Sequence, residues 1–226
     1  MSVEPAATAN SATSSAATLN ACVADIRARM AAQDRVLLGI AGPPGSGKST
    51  FAGQLFRCFD SSEAVIVPMD GFHLAQAILD GTPLASRKGA PDTFDVGGYV
   101  ALLRRLRANG EPVIYAPAYR RGLEEPIAAS VTVDSSVRLV ITEGNYLLSD
   151  LPVWRDVFGL LDDVWFVETP DELRVPQLIR RHIAFGMDAE AAERWANGPD
   201  AENARLVAST RHRATRIISW PTGAHG

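Results

Sequence analysis

Short unbroken apolar runs alternate along the chain with stretches in which apolar residues recur every three or four positions. The runs at 36–41 (Val-Leu-Leu-Gly-Ile-Ala), 64–69, 138–144 and 164–167 have strand length and the composition of strands buried on both faces. Weaker runs at 112–115, 131–133 and 217–220 predict further short strands. Phe51, Ala52, Leu55, Phe56 and Phe59 keep helical spacing after the first run, and Tyr99, Leu102, Leu103 and Leu106 do so within a helix expected over 96–108. Thr169-Pro170-Asp171-Glu172 reads as a helix start, with Thr as N-cap, Pro in the first position and Glu in the third. Helical stretches at 189–196 and 203–214 follow, and Leu19, Cys22, Val23, Ile26 and Met30 place a helix ahead of the first strand. Residues 80–95, punctuated by Gly81, Pro83, Gly89 and Pro91, read as a long loop.

Strands alternating with helices predict an α/β fold: a three-layer sandwich whose mostly parallel sheet is covered by helices on both faces. In such sheets ligands sit beyond the carboxyl ends of the strands. The expected division is a mobile tail over 1–18, rich in Ala, Ser and Thr, and one domain over 19–226. The tail has neither a basic segment nor an apolar one, so it does not read as a secretory signal, and it lacks the arginines of a transit peptide. No apolar stretch reaches membrane-span length, so no membrane insertion is expected. A net charge of −4 disfavours a nucleic-acid partner. Cys22 and Cys58 sit among apolar residues at helical spacing and read as buried free thiols, which suits a reducing cytoplasm.

The chemistry begins directly after the first strand. Gly42-Pro43-Pro44-Gly45-Ser46-Gly47-Lys48-Ser49 matches the phosphate-loop pattern G-x-x-x-x-G-K-[ST], and Thr50 opens the helical spacing behind it. The glycines let the backbone curl so that successive N–H groups face phosphate oxygens, and the following helix adds its positive end. Lys48 is expected on the β- and γ-phosphates and Ser49 on Mg²⁺, which makes ATP with Mg²⁺ the expected cofactor pair.

Two other strand ends carry acids. Asp70 follows the second strand and is the candidate base for an accepting hydroxyl, or else an N-cap for the residues after it. Glu143 ends the strand at 138–144 and is a candidate Mg²⁺ residue, or an ordinary strand-end carboxylate. Arg180 and Arg181 are candidates for a lid over the phosphates, with a solvated helix face as the plainer alternative.

Five motifs in order resemble the P-loop small-molecule kinases that include uridine kinase, phosphoribulokinase and bacterial type I pantothenate kinase. They are the phosphate loop, Met69-Asp70-Gly71-Phe72-His73, the segment Arg87-Lys88-Gly89-Ala90-Pro91-Asp92-Thr93-Phe94-Asp95, Tyr115-Ala116-Pro117-Ala118-Tyr119, and Thr142-Glu143-Gly144-Asn145-Tyr146. They run from about residue 35 to about 220, and within the group the chain is most similar to bacterial proteins termed nucleoside/nucleotide kinase family or fructose transport system kinase. The resemblance implies a P-loop NTPase fold with an acceptor loop at about 80–95 and a lid at about 174–200. It implies that Asp70 and Lys48 are catalytic, and that residues 42–50 with Arg180 and Arg181 hold the nucleotide. It assigns Ser49 and Glu143 to the metal, and His73, Arg87, Lys88, Asp92, Phe94, Tyr119 and Arg120 to the acceptor. Relatives are often dimers, so a homodimer is implied as well. The chain departs from uridine kinases in carrying Gly71 where they usually place Ser, and it is shorter than the pantothenate kinases.

The expected activity is transfer of the γ-phosphate of ATP to a hydroxyl of a small metabolite, a monosaccharide such as fructose first and a nucleoside or pantothenate-like alcohol second. A regulatory NTPase is the rival from another class. The chain carries no Asn-Lys-x-Asp guanine motif and no Leu-Ser-Gly-Gly-Gln signature, both of which such rivals use.

Overall fold

The computed structural model of the chain describes residues 6–220. In chain order the described elements are α1 (Ala6–Ala32), β1 (Val36–Ala41), α2 (Lys48–Phe56), β2 (Ala64–Ile66), α3 (Gln76–Leu79), α4 (Val96–Ala108), β3 (Val113–Arg120) and β4 (Glu125–Asp134). They continue with β5 (Leu139–Gly144), α5 (Arg155–Phe158), β6 (Asp163–Glu168), α6 (Asp171–Ala184), α7 (Ala189–Asn197), α8 (Pro199–Ser209) and β7 (Arg216–Ser219). Five strands form one parallel sheet in the order β2-β5-β1-β6-β7. β3 and β4 pair with each other as an antiparallel hairpin outside that sheet.

The period of two along each strand builds the layers. Leu37 of β1, Val140 of β5 and Phe166 of β6 face a core that takes in Tyr99, Leu103 and Leu106 of α4, Ile114 of β3 and Trp154. Their neighbours Val36, Leu38, Ile40, Leu139, Ile141, Trp165 and Val167 face the opposite core, with Cys22, Ile26 and Met30 of α1 and Phe51 and Leu55 of α2. Both faces of β1 and β5 are therefore dry, which is why these strands read as unbroken apolar runs.

A buried guanidinium ties the lower edge of the sheet together. Arg35, just ahead of β1, donates from Nε to Val137 O at 2.7 Å, from Nη1 to Leu106 O at 3.0 Å and from Nη2 to Asp134 O at 2.8 Å. One side chain thus joins the ends of α4 and β4 to the turn before β5, and burial pushes its pKa below the usual arginine value.

Several elements differ from the expected ones. α1 begins at Ala6, ahead of the expected Leu19, because the Ala-rich segment has high helix propensity; residues 1–5 of the expected tail lie outside the described residues. β2 stops at Ile66, before Pro68, and Asp70 lies in a 3₁₀ turn, Met69–Phe72, instead of ending the strand. The weak runs at 112–115 and 131–133 are the two ends of the long β3–β4 hairpin. Thr169 does not cap α6: its hydroxyl donates to Ser46 O at 2.9 Å, and Pro170 occupies the cap. No described helix is long and apolar enough to cross a membrane.

Replacing Arg35 by Met keeps the bulk and removes every donor, leaving several buried carbonyls unpaired. We expect a loss of roughly 2–4 kcal/mol, read by urea unfolding, with the m-value unchanged. A loss below about 0.5 kcal/mol would mean that water replaces the guanidinium.

Candidate active site

The phosphate loop spans the gap between β1 and α2. Gly47 sits at the N-cap of α2 with φ 82°, a left-handed conformation that suits glycine, and no side chain caps the helix. The first N–H groups of α2 thus stay available at its positive end, the arrangement that receives an anion. The loop is braced from behind by α6. Arg174, 2% exposed, donates from Nη1 to Pro44 O at 2.8 Å and pairs with Asp171 at 2.8 Å. Together with the Thr169 bond to Ser46, this anchors the loop at two carbonyls.

Parallel pairing sets the charged groups side by side. The register aligns Ala41 of β1 with Gly144 of β5, so Glu143 emerges next to the phosphate loop. Lys48 and Glu143 are both buried, at 8% and 6% exposure. Burial pushes the Glu143 carboxyl up, opposed by the Lys48 ammonium, while the same burial pushes Lys48 down, opposed by Glu143 and Asp70. The Ser49 side chain lies beside Glu143, whose Oε2 has no partner in the protein. Asp70 approaches from the 3₁₀ turn and faces Arg121 at 3.7 Å. Its neighbour Gly71 has no room for a side chain: a Cβ there would lie 2.4 Å from Pro117 O of β3. That close approach of the hairpin explains glycine at a position where a uridine kinase usually has serine.

Lys48, Ser49, Asp70, His73, Lys88, Tyr119, Arg121, Asn145 and Arg181 line one cavity of about 430 Å³. A second cavity of about 740 Å³ lies on the other side of the loop, lined by Pro43, Phe166, Thr169, Leu173 and Trp220. In the first, aromatic rings form one wall: His73 lies 4.1 Å from the Phe94 ring and 4.7 Å from that of Tyr119, centroid to centroid. His73 Nδ1 is 2.8 Å from Asp70 O. A carbonyl only accepts, so Nδ1 carries the proton, and burial pushes the ring's pKa down and keeps it neutral. Nε2 is then an acceptor. Lys88 bridges the acceptor loop to the hairpin, donating to Gln76 Oε1 at 3.1 Å and Glu124 O at 2.7 Å. The rim is closed by α6 and α7, and His182 of α6 is fastened to Asp200 of α8 at 2.7 Å.

No protein-family model matches the chain. It is 35% identical over 173 residues to a Schizosaccharomyces pombe protein named "putative uridine kinase", spanning 72% of this chain and 74% of that protein. It is 26% identical over 229 residues to the ATP-dependent kinase YFH7 of Zygosaccharomyces rouxii, spanning 86% of this chain and 60% of that protein. The crystal structure of a "putative fructose transport system kinase" from Silicibacter sp. TM1040 matches with a TM-score of 0.79 at 35% identity, covering 90% of this chain and 98% of that one. The chain belongs to the uridine kinase-like family of P-loop kinases. It is an ATP-dependent kinase with the family's α/β fold.

Within this kinase Pro44, Lys48, Ser49, Asp70, His73, Lys88, Phe94, Tyr119 and Arg181 line one cavity, Glu143 lies beside Lys48 and Ser49 behind it, and Thr50, Arg87, Asp92, Arg120 and Arg180 lie away from it. Arg87 pairs with Asp92 at 2.5 Å on the outer surface of the acceptor loop, and neither lines the cavity. Arg120 is exposed, and the next residue, Arg121, turns inward to Asp70. Arg180 is exposed on α6 while Arg181 lines the cavity. Thr50 is exposed on α2, beyond both cavities. Asn145, Glu124, Asp200 and Trp195 join the cavity without having been singled out for it. Asn145 carried a legible signal, since it follows Glu143-Gly144 at the end of a sheet strand; the others depend on how the hairpin and lid fold back.

Two outcomes follow. Arg181→Ala should lower turnover at least about tenfold in a coupled ADP-release assay, while Arg180→Ala stays within about twofold; equal effects would refute the assignment of Arg181. The neutral His73 sets a pH dependence: the unfolded chain takes a proton at about pH 6.5 where the folded ring does not. Stability should fall as pH drops below that value, and His73→Phe should lessen the fall in urea unfolding between pH 7.5 and pH 5.5, values chosen to bracket it.

Proposed function

We propose that the chain transfers the γ-phosphoryl group of ATP, with Mg²⁺, to a hydroxyl of a monosaccharide such as fructose. The observation that carries this reading is the convergence of Lys48, Ser49 and Asp70 on one cavity, with the Glu143 charge beside Lys48 and Asp70, while the acceptor loop and hairpin supply other walls of the same cavity. The cavity on the Pro43 side supports a seat for the nucleoside half of ATP, so that the triphosphate crosses the loop toward Lys48.

The residues fit Mg²⁺. The unpartnered Oε2 of Glu143 and the Ser49 hydroxyl are hard oxygen donors. Mg²⁺ takes few protein ligands and fills its shell with phosphate oxygens and water, which suits a chain in which no three His, Cys, Asp or Glu side chains gather to hold a metal among the described residues. Bound there, the ion would neutralise charge on the β- and γ-phosphates.

In this mechanism Asp70 takes the proton of the attacking hydroxyl as its oxygen bonds to the γ-phosphorus and the bond to the β–γ bridging oxygen breaks, releasing ADP. The turn carrying Asp70 is capped by Pro68 with no side-chain bond, which favours base over N-cap. Lys48 and the first amides of α2 stabilise the transferring group, and Arg181 approaches it from the lid. The acceptor end supports a polyol: Tyr119 and Trp195 offer aromatic faces, and Asp70, Asp200 and His73 Nε2 are acceptors for hydroxyl donors. The likeness to a crystal structure described as a fructose transport system kinase supports the same acceptor. A nucleoside is the second reading, favoured by the likeness to the fission-yeast protein named for uridine.

Asp70→Asn should lower acceptor-dependent ADP release at least about 100-fold and leave ATP affinity within about threefold. Turnover close to wild type would remove Asp70 as base. The same assay across sugars, nucleosides and pantothenate decides the acceptor, and ATP consumption indifferent to every one of them would favour a regulatory NTPase.

A further inference from the structure

The buried polar atoms of the cavity wall are nearly all accounted for, and one exception lies outside the roles assigned above. Asn145 follows Glu143 and Gly144 at the end of β5 and lines the cavity that holds Asp70. Its amide lies beside the Tyr146 hydroxyl. That hydroxyl donates to Gly89 O at 2.6 Å, so toward Asn145 it can only accept. The NH₂ side of the amide is therefore the one that suits Tyr146. Oδ1 is left buried with no partner in the protein.

An unpartnered buried acceptor costs free energy, and such atoms concentrate where a ligand supplies the missing donor. The residue beside it is held rigidly. Tyr146 is itself buried, and its bond to Gly89 ties the end of β5 to the acceptor loop. Its ring also packs against Phe94 at 5.8 Å and Trp154 at 5.1 Å, so the backbone that carries Asn145 is anchored on the cavity wall.

We infer that Asn145 is a specificity residue of the acceptor site, its Oδ1 accepting a hydrogen bond from a second donor group of the substrate, distinct from the hydroxyl that is phosphorylated. In the monosaccharide reading, on which this rests, that donor is another hydroxyl of the same sugar. Asp70 would take the proton of the reacting hydroxyl while Asn145 reads a further one, so an acceptor with a single hydroxyl and no other donor is turned away. The neutral amide suits this task, since a carboxylate beside Glu143 would add a like charge to a site already crowded with acids.

The test compares wild type with Asn145→Ala on D-fructose and its monodeoxy derivatives by coupled ADP release. Asn145→Ala should raise the acceptor KM at least about tenfold, with the KM for MgATP and the Mg²⁺ requirement within about twofold. On the one deoxy sugar that lacks the hydroxyl being read, wild type and variant should be equal. Tyr146→Phe keeps the ring and removes only the hydroxyl that ties the end of β5 to Gly89 beside the amide, and it should weaken the same acceptor by a smaller factor. An unchanged acceptor KM, an equal loss on every deoxy sugar, or a loss appearing as a higher Mg²⁺ requirement would each overturn the inference. If sugars fail and uridine is turned over, the monosaccharide reading falls, and the same comparison on 2′- and 3′-deoxyuridine decides Asn145 separately.

Discussion

Two opposite charges withdrawn from water at neighbouring strand ends set the terms for this site. Lys48 and Glu143 are each disfavoured as ions by burial and each kept charged in part by the other. They lie close enough for each charge to oppose the other's burial, without a direct ion pair between them among the described side chains. Removing either leaves the other buried and uncompensated. A triphosphate bound with its metal would supply what each side lacks: anionic oxygens for Lys48, and a cation for the open oxygen of Glu143. The site is in this sense built for its ligands, at a cost borne by the apolar layers on either side of β1 and β5.

That arrangement needs a loop that does not give. Backbone amides aimed at phosphates are useful only if the loop holds its curl, and the bracing comes from a different part of the chain. Arg174 and Thr169 grip Pro44 and Ser46 through their carbonyls. Both belong to the segment that starts α6, and the far end of the same helix carries Arg181 into the cavity. One helix therefore anchors the phosphate loop at its beginning and lines the acceptor cavity at its end, which places lid and loop on one rigid element.

The donor half of this site was legible because its information is local. A strand, a glycine loop and a helix follow one another in the chain, and the strand ending in Glu143 is buried on both faces, so its direction and its end could be read from consecutive residues. The acceptor half failed where a shift of one residue reverses a side chain's direction. Arg120 and Arg121 follow each other where β3 ends, and only the hairpin's geometry decides which of them reaches Asp70. Arg180 and Arg181 differ by 100° around α6, and the packing of Leu178 and Arg174 against the loop decides which turns inward. Arg87 and Asp92 satisfied each other at the surface, a pairing that a list of charged residues does not reveal. Arg174 drew no separate reading from the sequence, and its structural duty shows only once Pro44 O is seen 2.8 Å away.

The same contrast separates the chemistry from its specificity. Phosphoryl transfer asks for charges in fixed places, and charges have few ways to be arranged around a phosphate. An acceptor is told apart by neutral groups, whose meaning depends on which of their atoms are already engaged. His73 becomes an acceptor because its other nitrogen is spent on Asp70 O, and Asn145 carries a buried Oδ1 that no protein group satisfies. In the proposed reading, selectivity resides in hydrogen bonds made within the protein, which decide which hydrogen bonds remain for the substrate.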